Sequence, residues 1–188
     1  MVNVTGRTDS IVTDASAVPG ILVVVGASGA GKSTLVGRLA TLGLQGVGCY
    51  YFDTIGIPAA DDPRFVNGEA FQTWALDQWI ARLTQNEDRV RVAVLDASVR
   101  PSAVRAAFVR HGVARGEVVL VDCDYAERNA RLRGPRGQPE LATAQMDCWA
   151  AYLRGQADAL GLPVLDTTSR SPDECLAALR EHVVALHR

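Results

Sequence analysis

Long apolar runs are missing from this chain of 188 residues. The compact apolar run Ile21–Val25 is far too short to cross a bilayer, so an integral membrane protein is excluded and no membrane partner is expected. A secretory leader is missing too. Residues 1–20 are polar, carry Asp9 and Asp14 and lack an apolar stretch, so the expected compartment is the cytoplasm. There is no excess of basic charge. A formal net charge of −2 leaves no large electrostatic drive toward nucleic acid or acidic lipid, and neither is expected as a partner. Closely spaced cysteines are absent as well: Cys49, Cys123, Cys148 and Cys175 lie at least 25 residues apart, with no CxxC and no neighbouring histidine pair. That spacing argues against a structural zinc site or a redox dithiol, and the thiols read as free and buried. What remains is 48% hydrophobic and 21% charged, a composition far from disorder, with enough chain to bury one domain's core.

No internal repeat or low-complexity tract divides the chain. Residues 1–19, rich in Thr, Ser, Asp and Val and closing on Pro19-Gly20, read as a flexible lead-in, and residues 20–188 as one domain. Ile21–Val25, Val92–Leu95, Val118–Val121 and Val164–Leu165 are β-branched-rich runs without polar alternation, the pattern of strands buried on both faces. Gly48–Phe52 supplies a fifth, less apolar strand. Helical patterns fill the gaps: Lys32–Leu42, Gly68–Leu83, Ser102–His111 behind Pro101, Tyr125–Arg133, Leu141–Leu160, and Pro172–His187 behind a Ser171 cap. This alternation predicts a doubly wound α/β fold around a five-stranded parallel sheet. The strands stop at Gly26, Asp53, Asp96, Asp122 and Asp166, at the sheet end where ligands bind in such folds; each aspartate is a site residue or a helix cap.

Gly26-Ala27-Ser28-Gly29-Ala30-Gly31-Lys32-Ser33-Thr34 fits GxxxxGK[ST] between a buried strand and a helix, the context that this phosphate-binding loop requires. Glycines allow successive backbone N–H groups to curl toward the β- and γ-phosphates. The helix N-terminus adds positive potential, Lys32 adds a mobile charge, and the Ser33 hydroxyl is a ligand for Mg²⁺. A nucleoside triphosphate is the expected ligand. The glycines run G-x-x-G-x-G, which disfavours a dinucleotide enzyme.

Asp53-Thr54-Ile55-Gly56 also matches the short DxxG pattern of GTP-dependent switches. It falls only 21 residues after Lys32, however, and no Asn in the chain is followed by Lys to read guanine. A phosphotransferase accounts for more residues. The strand Val92–Leu95 ends in Asp96, placed beside the phosphate loop to hold a Mg²⁺-bound water, and Arg100 follows four residues on, aimed at an acceptor. Arg128, Arg131, Arg133 and Arg136 then lead a helix into a Gly/Pro-rich loop. Residues 131–140 read as a lid whose arginines neutralise charge over the γ-phosphate.

With these marks the chain, from Ile21 to its C-terminus, resembles the nucleoside-monophosphate-kinase-like group of small P-loop kinases, which includes adenylate, shikimate and gluconate kinases. The resemblance rests on Gly26–Thr34, Asp53, Leu95-Asp96 with Arg100, the run Arg131–Arg136, and Leu165-Asp166-Thr167-Thr168. It implies that Asp53 orients or deprotonates an acceptor hydroxyl, that Arg100 binds an anionic group of the acceptor, and that Arg131 and Arg136 belong to the lid. It also implies that Asp166–Arg170 packs near adenine. Two departures keep either substrate from being carried over: Ala97 stands where adenylate kinases have Gly, and Ile55 where shikimate kinases have a second Asp.

The expected activity is transfer of the γ-phosphate of ATP, with Mg²⁺, to a small-molecule hydroxyl. The catalytic set is Lys32, Asp53, Arg131 and Arg136, the metal ligands are Ser33 and Asp96, and residues 53–84 form the acceptor lobe, with Arg64 and Arg100 beside Asp53 as acceptor contacts. A nucleoside monophosphate kinase, with Arg64 and Arg100 on the acceptor phosphate, and a nucleotide-dependent regulatory ATPase are the alternatives. Monomer and homodimer both remain open.

Overall fold

The computed structural model describes residues 18–56 and 68–188, so the lead-in up to residue 17 and Arg64 lie outside the described residues. Five parallel strands form one sheet: β1 (Gly20–Val25), β2 (Val47–Tyr51), β3 (Val92–Ala97), β4 (Gly116–Asp122) and β5 (Val164–Asp166), in the order β2-β3-β1-β4-β5. The helices are α1 (Lys32–Thr41), α2 (Gly68–Gln85), α3 (Pro101–Arg110), α4 (Tyr125–Arg133), α5 (Ala144–Leu160) and α6 (Pro172–His187). Among the described residues, no helix is long and apolar enough to cross a membrane.

β1 is buried along its whole length, because its backbone is paired on both edges, with β3 and β4, and its side chains are covered on both faces. Ile21, Val23 and Val25 point into a layer shared with Trp79 of α2, Val104 of α3 and Leu153 of α5. Leu22 and Val24 point the other way, into a layer shared with Leu35 and Leu39 of α1 and with Leu179 and Val183 of α6. The unbroken apolar runs of the sequence are thus those of a doubly wound sheet. Each such side chain contributes about 1.5–3 kcal/mol when fully buried.

The expected helices differ from the observed ones chiefly around the lid. A short 3₁₀ turn at Pro139–Leu141 precedes α5, which starts at Ala144 where the Thr143 hydroxyl caps the Met146 amide at 3.2 Å. Thr143 is a better start than Leu141, because its side chain satisfies an orphan amide. α6 begins as expected at Ser171, in a reciprocal capping box with Glu174. β2 stops at Tyr51 rather than Phe52, and a 3₁₀ turn over Phe52–Ile55 carries Asp53. The thiols divide: Cys123 and Cys175 are buried, Cys49 is half-buried and Cys148 is exposed, all four unbridged. Cys148 corrects the expectation of burial. It lies on the outer side of α5, opposite the core-facing Ala150, Leu153 and Ala157.

Of the aromatics in the acceptor lobe, Trp79 is core. It is buried against β1, and its indole N–H donates to the Phe52 carbonyl at 2.9 Å, which fastens α2 to the turn bearing Asp53. Replacing Trp79 with Phe removes that hydrogen bond and leaves part of the indole's buried volume unfilled. The variant should lose about 1–3 kcal/mol, and for a chain of this size the thermal midpoint drops by about 2–4 °C for each kcal/mol. An unshifted melting curve would show that the bond adds nothing to the anchoring of the turn.

Candidate functional site: a phosphate loop facing an acidic turn

The loop after β1 is shaped by contacts that side chains would block. A Cβ on Gly26 would sit 2.2 Å from the Val121 carbonyl oxygen of β4, so only glycine lets the loop leave the sheet there. Gly29 has φ +83°, and a Cβ on it would meet the Arg128 and Leu132 side chains at 2.9 Å. Gly31 is the N-cap of α1, with no side-chain cap and no acidic residue in the first turn. The leading amides of α1 are therefore left to an anion, with the helix dipole behind them.

Lys32 follows directly, and it is the only lysine in the chain. It is only 7% exposed, and Nζ donates to the Ala27 carbonyl within its own loop at 3.2 Å. Burial is the main influence on its ammonium and lowers its pKa below the ordinary 10.5; Asp96 opposes this, Arg136 adds to it, and Asp53 opposes it more weakly.

An open cleft of about 450 Å³ lies over this lysine. It gathers Ser28, Lys32 and Ser33 from the loop and the start of α1, Asp53 from the turn after β2, Asp96 and Ser98 from the end of β3, and Arg136 from the loop after α4. Parallel strands make this possible, since β1, β2 and β3 all end at the same edge of the sheet. Asp96 is buried, whereas Asp53 is exposed on its turn. Ser33 and Asp96 offer a hydroxyl and a carboxylate, hard oxygen donors of the kind Mg²⁺ takes, beside the open amides of the loop. The donor set fits that ion.

Other expected site residues stand elsewhere. Arg131 does not line the cleft. Its guanidinium donates to the Thr167 hydroxyl at 2.8 Å, the Thr167 carbonyl at 2.7 Å and the Ala30 carbonyl at 3.4 Å, and it pairs with Glu127 at 2.8 Å. It clasps the flank of the phosphate loop to the segment after β5. Arg100 is joined to Glu69, in the first turn of α2, by a 2.6 Å ion pair rather than presented bare. Arg128 is buried, pairs with Asp147 at 2.5 Å and leaves its Nε without a partner among the described residues, so it is a support under Gly29 and not a lid arginine. The lid segment is compact: the amides of Arg136 and Gln138 donate back to the carbonyls of Arg131 and Leu132 at 3.0 and 2.9 Å. Those bonds turn Arg136 into the cleft, where its side chain also reaches Gln138.

Two contributors, Ser98 and Tyr51, were not singled out by sequence reasoning, and a third, Thr167, was named only within the closing run Leu165-Asp166-Thr167-Thr168. Ser98 donates from its hydroxyl to the Gly26 carbonyl at 3.1 Å, tying β3's end to the loop. Tyr51 lines the cleft. The Thr167 hydroxyl donates to the Ala30 carbonyl at 2.9 Å, so it holds the loop from the β5 side. Only Thr167 had a local signal, the polar run Asp166-Thr167-Thr168 after an apolar strand. Of the strand-end aspartates, Asp122 faces Arg154 at 3.6 Å, and Asp166 accepts from the Thr168 amide at 2.8 Å within its own turn.

A single lysine makes its titration directly readable. The pH dependence of acetylation at Lys32, separated by peptide mapping from the α-amine, should show a midpoint below 10.5 in the free protein. MgATP should raise that midpoint and protect the amine, because added negative charge favours the ammonium. A midpoint at or above the ordinary value would mean that burial does not govern this group.

No protein-family model matches this chain, and no curated protein matches it. Solved structures do. Shikimate kinase from Acinetobacter baumannii, in complex with shikimate, superposes with a TM-score of 0.56 at 16% identity, covering 89% of this chain and 94% of that one. A sugar kinase from a Janibacter species gives 0.55 at 18% identity over 88% and 95%. Deoxyadenosine kinase from M. mycoides gives 0.53 at 11% identity over 88% and 98%. Identities this low carry the architecture and not the substrate, and on that architecture the chain has the fold of the small P-loop kinases.

Proposed function

We propose that this protein transfers the γ-phosphate of ATP to a hydroxyl of a small molecule. The observation that carries the reading is the cleft that sets Asp53 and Arg136 over Lys32, Ser33 and Asp96. Phosphoryl transfer needs positioning and charge neutralisation more than covalent chemistry. The open amides of the phosphate loop and α1 bind the β- and γ-phosphates. Lys32, its ammonium favoured further by the negative charge of the triphosphate, follows the charge that builds on the transferring group. Arg136 adds a second cation from the loop after α4 and, with that loop, keeps water from the phosphorus. Ser33 and Asp96 are the residues that would hold Mg²⁺, which would supply charge neutralisation to the transferring group.

Asp53 lines the same cleft as these cations. Its carboxylate accepts a hydrogen bond from the acceptor hydroxyl and orients the oxygen toward phosphorus. As the new P–O bond forms and the bond to the β-phosphate oxygen breaks, the hydroxyl proton passes to Asp53 and the electron pair leaves with ADP. Arg131, tied to Thr167 and Ala30, is a positioning residue here: it holds the loop's flank.

Two outcomes test this. Asp53→Asn should cut transfer by about 10²–10⁴-fold, the usual worth of a general base, while nucleotide binding persists. Transfer assayed from γ-labelled ATP to pooled alcohols, with Lys32→Ala as the inactive control, measures it. Turnover by Asp53→Asn equal to the unmodified chain would remove Asp53 from the chemistry. Slow phosphate release that no acceptor accelerates would point instead to a regulatory ATPase.

A further inference from the structure

Gly29 of the phosphate loop rests on groups supplied by α4 and the residues leading into it. A Cβ on Gly29 would come within 2.9 Å of the Arg128 and Leu132 side chains and 3.1 Å of the Arg128 carbonyl oxygen, so both side chains press on its backbone. The Cys123 thiol lies 3.9 Å from the Gly29 carbonyl oxygen and donates to it. Burial is the main cause that pushes this thiol up to about 11, which keeps it a donor at neutral pH. The left-handed backbone of Gly29 is therefore held from below by three side chains.

These props are themselves tied to the lid and to the helix that follows it. The Leu132 carbonyl accepts the Gln138 amide at 2.9 Å, inside the lid. Arg128 reaches further. Its Nη2 donates to Asp147 Oδ1 at 2.5 Å, in the first turn of α5, and its Nη1 donates to the Cys123 carbonyl at 3.3 Å. Asp147 comes shortly after the 3₁₀ turn Pro139–Leu141 that closes the lid. A buried cation thus stands between the floor of Gly29 and the helix that leaves the lid. Stability is a weak reason for a charge there, because apolar residues of similar volume often replace buried ion pairs without loss.

We propose that Arg128, held by Asp147, is a positioning residue for nucleotide binding: the pair fixes the Gly29 turn, so the loop's grip on a triphosphate depends on the seat of α5. The inference rests on the phosphate-loop reading and is independent of the acceptor. Charge and positioning have opposite signs at Asp147. Removing its carboxylate adds net positive potential near the loop, which by charge alone favours a polyanion. Positioning requires the reverse. Without its partner the Arg128 guanidinium leaves its seat, its stem no longer fixes Gly29, and the loop amides lose their common aim.

The test titrates the full chain with Mg²⁺ and the non-hydrolysable ATP analogue AMP-PNP by calorimetry, at a temperature where melting curves show each variant folded. Asp147→Asn should weaken binding by about ten- to a hundredfold, the worth of a hydrogen bond between charged groups. The double variant Arg128→Met with Asp147→Leu removes both charges and fills their space. It should melt close to the unmodified chain yet bind the analogue as weakly as Asp147→Asn, a split that a merely structural pair would not produce. Asp147 is only partly buried, so Asp147→Asn alone keeps the test open if the double variant does not fold. Unchanged or tighter binding by Asp147→Asn would overturn the inference and leave the phosphate loop standing, as would native affinity in the double variant. An unmodified chain that takes up no analogue would sink the phosphate-loop reading, and this inference with it.

Discussion

The end of a strand with no exposed residue governs the site. β1 is covered on both faces and paired on both edges, so the point where it stops is held rigidly in the middle of the sheet. At that point the Gly26 backbone passes so close to the Val121 carbonyl that a methyl group has no room. The chain can only curl, and the curl presents amides, the α1 N-terminus and a buried lysine to the same small volume. Lys32 is kept in a depressed state by burial and partly supported by Asp96. Open amides beside a buried cation are groups that a polyanion would satisfy.

The loop is also braced from three sides by bonds to its carbonyls. Ser98 reaches Gly26 from β3, while Thr167 and Arg131 reach Ala30 from the β5 side and from α4. Carbonyls tied outward leave the amides turned inward, toward a ligand. Arg128 contributes from below, its charge matched by Asp147 across the base of the lid. The arginine-rich stretch thus splits into different duties: Arg128 is a buried support, Arg131 a clasp, and Arg136 alone lines the phosphate-loop cleft. Helix geometry explains the split. Arg128 and Arg131 lie within α4 and follow its buried side, while Arg136 stands on a loop folded back over the helix end.

Much of this was legible along the chain. Unbroken apolar runs marked the buried strands, because residues covered on both faces need not alternate. The GxxxxGK[ST] spacing marked the loop, because only glycines permit the close approach at Gly26 and the positive φ at Gly29. Ser171 and Glu174 marked the start of α6 through a local capping box. The sequence by itself therefore determined whatever depends on neighbours within a few residues: strand and helix identity, caps, and the phosphate-binding turn. Partners distant in sequence were decided by the tertiary structure alone. Arg100 meets Glu69, Arg131 meets Thr167, and Trp149 belongs to the layer beneath Asp53 only after the sheet has brought their elements together. An arginine reads the same in one dimension whether it will face a ligand, a carbonyl or a glutamate; its role is fixed by the group that folding places opposite it.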